Sequence, residues 1–483
     1  VNYSALLAGL PAIGPEILLL VLAFVIMAFD LFLAPSNKPL VARLTVGGLL
    51  IILAISFAAS PSGEPVLGGM VCVDLWTQLF RALFLVAGVL VALVSLGDKS
   101  VRQGGEYYSL LVLSIAGMSL MAAAYNLLMV YLALETTGIT LYLLTAYLRD
   151  SRSAEAGLKY FLFGAFTSTI MLYGLSLLYG FTRATGYTEV AAGLSGLPDK
   201  LPVILGMMLV AAGLGFKISM VPFHFWAPDV YEGAPTPITA FISVASKAAG
   251  FAVLLRFLMV VFPSVQVQWI YMLTALSAVT MSVGNVVALL QKNIKRMLAY
   301  SSIAQAGYML IGVVAVSQGS VKPYGPAAVL FYLGVYVLTN VAAFGVISAV
   351  TNALGSEQLS AFAGLSRRSL GLSLAMLAAM LSLGGVPPLA GFFAKFFVFS
   401  AAMGQGLVWL VVLGVLNSLL ALYYYLMVLK YVFVDRSEGD EQPLEVPFAL
   451  NTGLWVSVAG ILILGVFATP WYDLVARAVN GAF

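Results

Sequence analysis

Apolar residues run along this chain in blocks of about 20, long enough for a helix to cross a hydrocarbon layer. The blocks are apolar on all faces, and the polar punctuation between them is short. We place fourteen spans at 11–34, 40–60, 76–97, 107–124, 127–148, 158–180, 201–224, 236–262, 267–290, 296–318, 325–351, 369–402, 406–434 and 450–475. Short connections favour antiparallel neighbours in one bundle. The pattern predicts an all-α polytopic membrane protein.

Two blocks break their own backbone. GLGFKISMVPFHFW (213–226) sets Pro222 after a lysine, and LSLGGVPPLAGFFAK (381–395) sets Gly384, Gly385, Pro387 and Pro388 before one. Non-helical backbone survives at membrane depth only inside protein or along a wet cavity. Matching interruptions in two halves of a chain point to inverted-repeat transporters. Grouping spans 4–8 with 9–13 puts each break fourth in a five-span unit, and an odd number of spans inverts the second unit. The expected organisation is a three-helix segment (1–106), two inverted five-helix repeats (107–262 and 263–434), then a polar loop and final span (435–483).

Composition agrees. Hydrophobic residues make up 62% of the 483 and charged residues 9%, against about 25% charged in soluble domains. The single cysteine, Cys72, rules out disulfides within the chain and cysteine-held clusters, and the single histidine, His224, cannot by itself make a His-based metal site. No redox centre and no nucleic-acid partner are expected. No cleavable signal peptide is expected, and the start, free of Lys and Arg before Lys38, is expected outside.

Basic residues test the topology. With that start outside, odd-numbered loops and their flanks hold 14 Lys and Arg, among them Lys38, Lys99, Arg102, Arg149, Lys292, Arg367 and Arg436. The other side holds 5: Arg81, Arg183, Lys200, Lys322 and Arg477. This positive-inside bias supports the span count, with both termini on the outer, periplasmic side and the acidic stretch 435–447 in the cytoplasm.

Four basic residues fall inside spans: Lys217, Lys247, Arg256 and Lys395. Glu135 is the acid at mid-span; Glu16 and Asp30 lie near span ends, where water is expected close by. A charge at the bilayer centre costs about 2.5–3.5 kcal/mol on insertion scales. Lys247 and Glu135 lie about 17 Å and 12 Å into their spans, too deep to reach out easily. One Glu–Lys pair would serve as a helix clamp, yet one acid cannot neutralise three lysines. Burial disfavours the charged form of either group and a nearby opposite charge restores it, which is the chemistry of a proton relay. Arg256, near the outer end of its span, is expected to reach the interface as an anchor. His224 has a bland reading, an interfacial hydrogen-bonded histidine, beside a functional one, a relay between Lys217 and the cytoplasm.

PFHFWAPDVYEGAPTPITAFISVASKAAGFAVLLR (222–256) and LSLGGVPPLAGFFAKFFVF (381–399) closely resemble the antiporter-like subunits of respiratory complex I, the proton-pumping NADH-quinone oxidoreductase. NLLMVYLALETTGITLYLLTAYL (126–148) and NIKRMLAYSSIAQAGYML (293–310) extend the resemblance along the whole chain. Lysine at 395 fits the N-type subunit better than the M-type, and the missing lateral helix argues against the L-type. The resemblance implies a fold shared with Mrp-type cation/proton antiporters, and site roles with it. Glu135 would pair with Lys217, Lys247 would be the central connector, and Lys395 would exchange protons with the outer side. His224 would stand near the cytoplasmic inlet; Glu155 and Lys159 would be secondary or simply solvated. The implied partners are M-, K-, J-, A- and L-type subunits and lipids in the inner membrane, with FMN, iron–sulfur clusters and quinone held by those partners. A free-standing Mrp-type antiporter and a passive scaffold are the competing expectations.

Overall fold

The computed structural model describes residues 9–58, 61, 63–101, 103–316, 324–437 and 442–483. Arg102, Lys322 and part of the acidic stretch 435–447 lie outside the described residues.

Helices α1 (Gly14–Leu31), α2 (Pro39–Ala58), α3 (Leu75–Leu96), α4 (Gly105–Ala123), α5 (Leu127–Thr145) and α6 (Ser151–Thr182) cross in turn. The first broken span follows as α7 (Leu201–Ile218) and the short α8 (Trp226–Gly233). Next come α9 (Thr236–Val261), α10 (Gln266–Ala288), α11 (Ile294–Val314) and α12 (Tyr324–Leu354). The second broken span is α13 (Leu370–Gly384) plus α14 (Ala390–Gly404), followed by α15 (Val408–Phe433), α16 (Phe448–Val466) and α17 (Ala468–Ala482). Thirteen of the helices are long and apolar enough to cross a membrane among the described residues; α13 and α14 together supply the interrupted crossing. The final expected span is shorter than 450–475: a crossing ends at Val466, and α17 is a separate amphipathic helix. Its Tyr472 packs on Phe397 at 4.2 Å and Phe483 on Trp76 at 5.1 Å, so its apolar face needs no lipid-spanning length.

Short polar side chains start the helices. Asp74, Asn126, Asp150 and Asn293 each accept from a backbone N–H of the first turn, at 2.7–2.9 Å, meeting donors that otherwise go unpaired in an apolar medium. Alternate loops meet at opposite ends of the bundle. Arg152 and Lys295 reach Glu357 at one end, while Val71 bridges Ala124 and Asn126 bridges Gly186 at the other.

The two halves repeat small details. Leu127 N–H donates to Thr185 and Tyr187 N–H to Tyr125; Ile294 N–H donates to Glu357 and Leu359 N–H to Lys292 in the same reciprocal pattern. Both broken spans end in a left-handed residue, Ser219 (φ 59°) and Gly385 (φ 81°), each followed three residues on by a cis proline, Pro222 and Pro388. Helices α9, α11 and α12 are buried around almost their whole circumference and form the centre.

Candidate functional site

Lys217 sits two residues before the left-handed Ser219 that ends α7, and it is buried. Its stem lies against Gly250, where an added Cβ would stand 3.2 Å from Lys217 Cγ. Gly250 is one turn beyond Lys247 on α9, so the two lysines approach the same stretch of helix. Glu135 is the acid whose charge acts on Lys217. Among the described residues no direct ion pair joins them, and Glu135 Oε1 is buried without a hydrogen-bond partner. The expected pairing is therefore an interaction at a distance.

Lys247 follows directly on a π-helical turn, Ile242–Ser246, a rare irregularity that concentrates at functional sites. Its Nζ donates to the carbonyl of Ser302 at 2.6 Å and to its Oγ at 2.5 Å. The Tyr231 hydroxyl reaches the same Oγ at 3.0 Å. Lys247 is thus tied across the centre of the protein to α11, the second helix of the other half.

From Ser302 polar groups continue along one face of α11. Ser301 meets the Tyr425 hydroxyl at 2.5 Å, and Gln305 Nε2 donates to that hydroxyl at 3.1 Å and to the Leu383 carbonyl at 3.3 Å. Tyr332 donates to Gln305 Oε1. One turn on, the ring of Tyr308 faces Lys395 Nζ, 4.8 Å from its centroid, a cation–π distance. The Tyr308 hydroxyl accepts from Asn285, which also bonds Asn417 and Tyr424.

Lys395 donates to the Gly384 carbonyl at 3.3 Å, a group freed by the helix break. Gly385 is required here: its backbone is left-handed and a Cβ would press on Lys395 Cδ at 3.0 Å. Beside them is a cavity of about 570 Å³ lined by Gly384, Pro387, Phe396, Phe399, Ser418 and Leu422 among others. The break therefore supplies both a carbonyl partner and an opening.

His224 is buried within the first break, with its ring on Phe225 at 4.5 Å and the Pro222 backbone in hydrogen-bonding contact. No hydrogen bond joins it to Lys217 among the described residues. Glu155 and Lys159 are not isolated surface charges. Lys159 bonds Glu155 at 2.8 Å and Asp229 at 2.7 Å, and Arg296 clamps Asp229 and Glu232 at 2.7 and 2.8 Å. Arg152 then joins Glu232 to Glu357, which also holds Lys295 at 3.0 Å. This network borders a cavity of about 250 Å³ at the end rich in basic residues. Burial pushes the Asp229 carboxyl up, but Lys159 and Arg296 outweigh it and hold it below its usual range. For Glu357, burial is likewise outweighed by Lys295 and Arg152.

Two further expectations fail. Arg256 is no interfacial anchor: it is 1% exposed and bonds Asp74 at 2.6 Å, because the N-cap of α3 brings a carboxylate to it. Glu16 does not face water: it is 2% exposed and holds Arg81 through both oxygens at 2.8 and 3.0 Å, with Ser119 donating to it. Both acids neutralise arginines that would otherwise be buried alone.

Ser301, Ser302, Gln305, Tyr308, Tyr231, Tyr332 and Tyr425 join the site only in the folded structure. The signal for the α11 group was available: SSIAQAGY puts polar residues at one-turn spacing in an apolar helix. Among the described residues no group of His, Cys, Asp and Glu is placed to hold a metal ion.

Comparison with known proteins bears on this arrangement. A family model described as NADH:quinone oxidoreductase/Mrp antiporter, TM, matches residues 124–421. NADH-quinone oxidoreductase subunit N of Moorella thermoacetica is 42% identical over 99% of this chain and 99% of its own. A chain of Thermus thermophilus respiratory complex I superposes with a TM-score of 0.80 and 35% identity, covering 96% of this chain and 99% of that one. A chain of the Mrp complex from Dietzia sp. has a TM-score of 0.84 at 21% identity, over 97% of this chain and 96% of that one, and shares the fold. By sequence and by fold, then, this chain belongs to the NADH-quinone oxidoreductase subunit N family, within the wider group of complex I and Mrp antiporter membrane subunits.

Proposed function

We propose that the chain translocates protons as a membrane-arm subunit of a redox-driven NADH-quinone oxidoreductase, from a cytoplasmic inlet to a periplasmic outlet. One observation carries the reading: Lys247 is hydrogen-bonded across the two halves to Ser302, at the head of a buried polar row that ends at Lys395. A change in the field of Glu135 alters the hold of Lys217 on its proton. A proton passes from Lys217 to Lys247, then along α11 to Lys395. The carbonyl of Gly384 receives the charged lysine.

In this reading the end rich in basic residues is cytoplasmic, the protein spans the inner membrane, and both termini face the periplasm. The two five-helix units are inverted repeats, as the paired loop bridges and paired breaks support. Domain boundaries follow at 106, 262 and 434. Electron transfer, with FMN, iron–sulfur clusters and quinone, belongs to other subunits, and M-, K-, J-, A- and L-type subunits are the membrane partners. Lys247→Ala and Glu135→Ala in the assembled complex test the relay: pumping per electron should fall while assembly holds. Normal pumping in both variants would sink it. The fold shared with an Mrp complex favours a second reading, cation/proton antiport. That reading predicts ion exchange in vesicles without any electron donor.

A further inference from the structure

We propose that the Glu357–Lys295 pair is a second cytoplasmic inlet, delivering protons to Lys247 without passing through Lys217. The proposal rests on the relay reading above. Lys295 is 2% exposed, yet it is the innermost member of the ion network at the basic end. Its Nζ bonds Glu357 at 3.0 Å and the Ala234 carbonyl at 2.8 Å. Glu357 lines a cavity of about 310 Å³ with Arg152, Glu232, Asn293, Thr351 and Ser356. Among the described residues the Thr351 hydroxyl is buried there without a partner, so the cavity wall has unused hydrogen-bonding capacity next to the carboxylate.

The inner side is as specific. Lys295 and Ser302 are seven residues apart on α11, two turns on one face and about 10 Å of rise. Ser302 is the residue that holds Lys247. The segment that contacts Lys295 through Ala234 also sends Tyr231 to Ser302 Oγ, so both ends of the gap are framed by α8 and α11. Lys217, by contrast, approaches Lys247 from α7 on another side. The central lysine is thus reached from two directions.

The step balances simply. The Lys295 ammonium gives its proton to water spanning the two turns, which passes one on through the Ser302 hydroxyl to a neutral Lys247 amine. The neutral Lys295 is reprotonated from the cytoplasmic cavity through Glu357, whose negative charge draws the incoming proton. The charges facing Lys295 are Glu357, Arg152 and Asp98, and those facing Glu357 include Lys295 and Arg152.

A simple ion-pair clamp between the halves would hold the same contacts, and arginine separates the two roles. Lys295→Arg keeps the pair but cannot release a proton at working pH. The test uses the intact complex in sealed vesicles, reading protons translocated per electron. Lys217→Met should leave residual pumping, and Lys217→Met/Lys295→Arg should abolish it at unchanged complex content. If Lys217→Met leaves none, or the residual survives Lys295→Arg, the second inlet is overturned. If Lys247→Ala pumps normally, the relay itself is overturned, a distinguishable result.

Discussion

Gly391→Ala tests whether the second break must stay closed at its waist. Gly391 is in the first turn of α14, and its N–H donates to Ser382 Oγ at 3.2 Å. A Cβ there would lie 1.7 Å from the Ser382 carbonyl oxygen and 2.6 Å from its carbon. Comfortable contact begins near about 3.5 Å, so α13 and α14 must part by about 1.5–2 Å. Overpacking of this kind costs roughly 1–3 kcal/mol. Lys395 is one turn further along α14, and its carbonyl partner belongs to α13, so the shift falls directly on that bond. Misplacement by about 1 Å can cost about 100-fold in rate, or roughly 2.7 kcal/mol of barrier. The assay is donor-driven acidification of vesicles carrying the assembled complex, with complex content measured alongside. Gly404→Ala, in the same half-helix with nothing within 4 Å of the added Cβ, is the control and should pump normally. A Gly391→Ala complex assembled in normal amount and pumping like the control would refute the argument that the two half-helices set the position of Lys395.

Arg256→Ala should lower the thermal midpoint of the subunit in the purified complex, since an orphaned buried Asp74 costs about 3–5 kcal/mol. Arg256→Met with Asp74→Leu should recover much of that loss, and no recovery would count against a buried pair. Ser302→Ala removes one of two bonds to Lys247, each worth about 1.5–3 kcal/mol to a charged group, and should slow pumping about tenfold or more. Tyr231→Phe, which keeps both Lys247 bonds, should slow it less. The network at the basic end should also set an acid limit. Asp229 and Glu357 have depressed carboxyl pKa values, so their stabilisation is present above the ordinary carboxylate range and is lost as pH falls through their lower values. Glu357→Gln should flatten the acid side of the stability–pH profile measured by thermal unfolding, and an unchanged slope would show that Glu357 contributes nothing to it.

What could be read from the sequence, and what could not, follows from cost. Lys217, Lys247, Lys395 and Glu135 were visible because a charge in an apolar span is too expensive to be incidental. Gly385, Pro387 and Pro388 were visible because they forbid ordinary helix. Ser302, Gln305 and Tyr425 were not singled out, since each sits in a helix cheaply and acquires meaning only through a partner from a distant stretch of chain. Arg256 and Glu16 were misplaced for a related reason. Distance along a span says how deep a residue lies, but not whether a neighbouring helix offers it a counter-charge. The length of the last span failed because α17 is apolar enough to extend the hydrophobic run, although one of its faces is satisfied by aromatic rings of α12 and α14.

The repeated details also bear on why a path through such a fold has a direction. Counted from the capping residues Asn126 and Asn293, Glu135 and Ser302 occupy the same place in the two halves. Counted from the left-handed residues Ser219 and Gly385, so do Asp229 and Lys395. Repeating the backbone has therefore not repeated the chemistry. One slot holds an acid acting on Lys217 in the first half and a neutral hydroxyl binding Lys247 in the second. The other holds an acid clamped by Lys159 and Arg296 at one end, and near the other a lysine that meets a carbonyl and an aromatic ring. Two identical halves facing opposite ways would favour neither side of the membrane. In the proposed relay, a strongly held charge network at the inlet and a weakly held lysine at the outlet would make the two ends unequal, and an inequality of that kind would let a change at Glu135 bias movement one way.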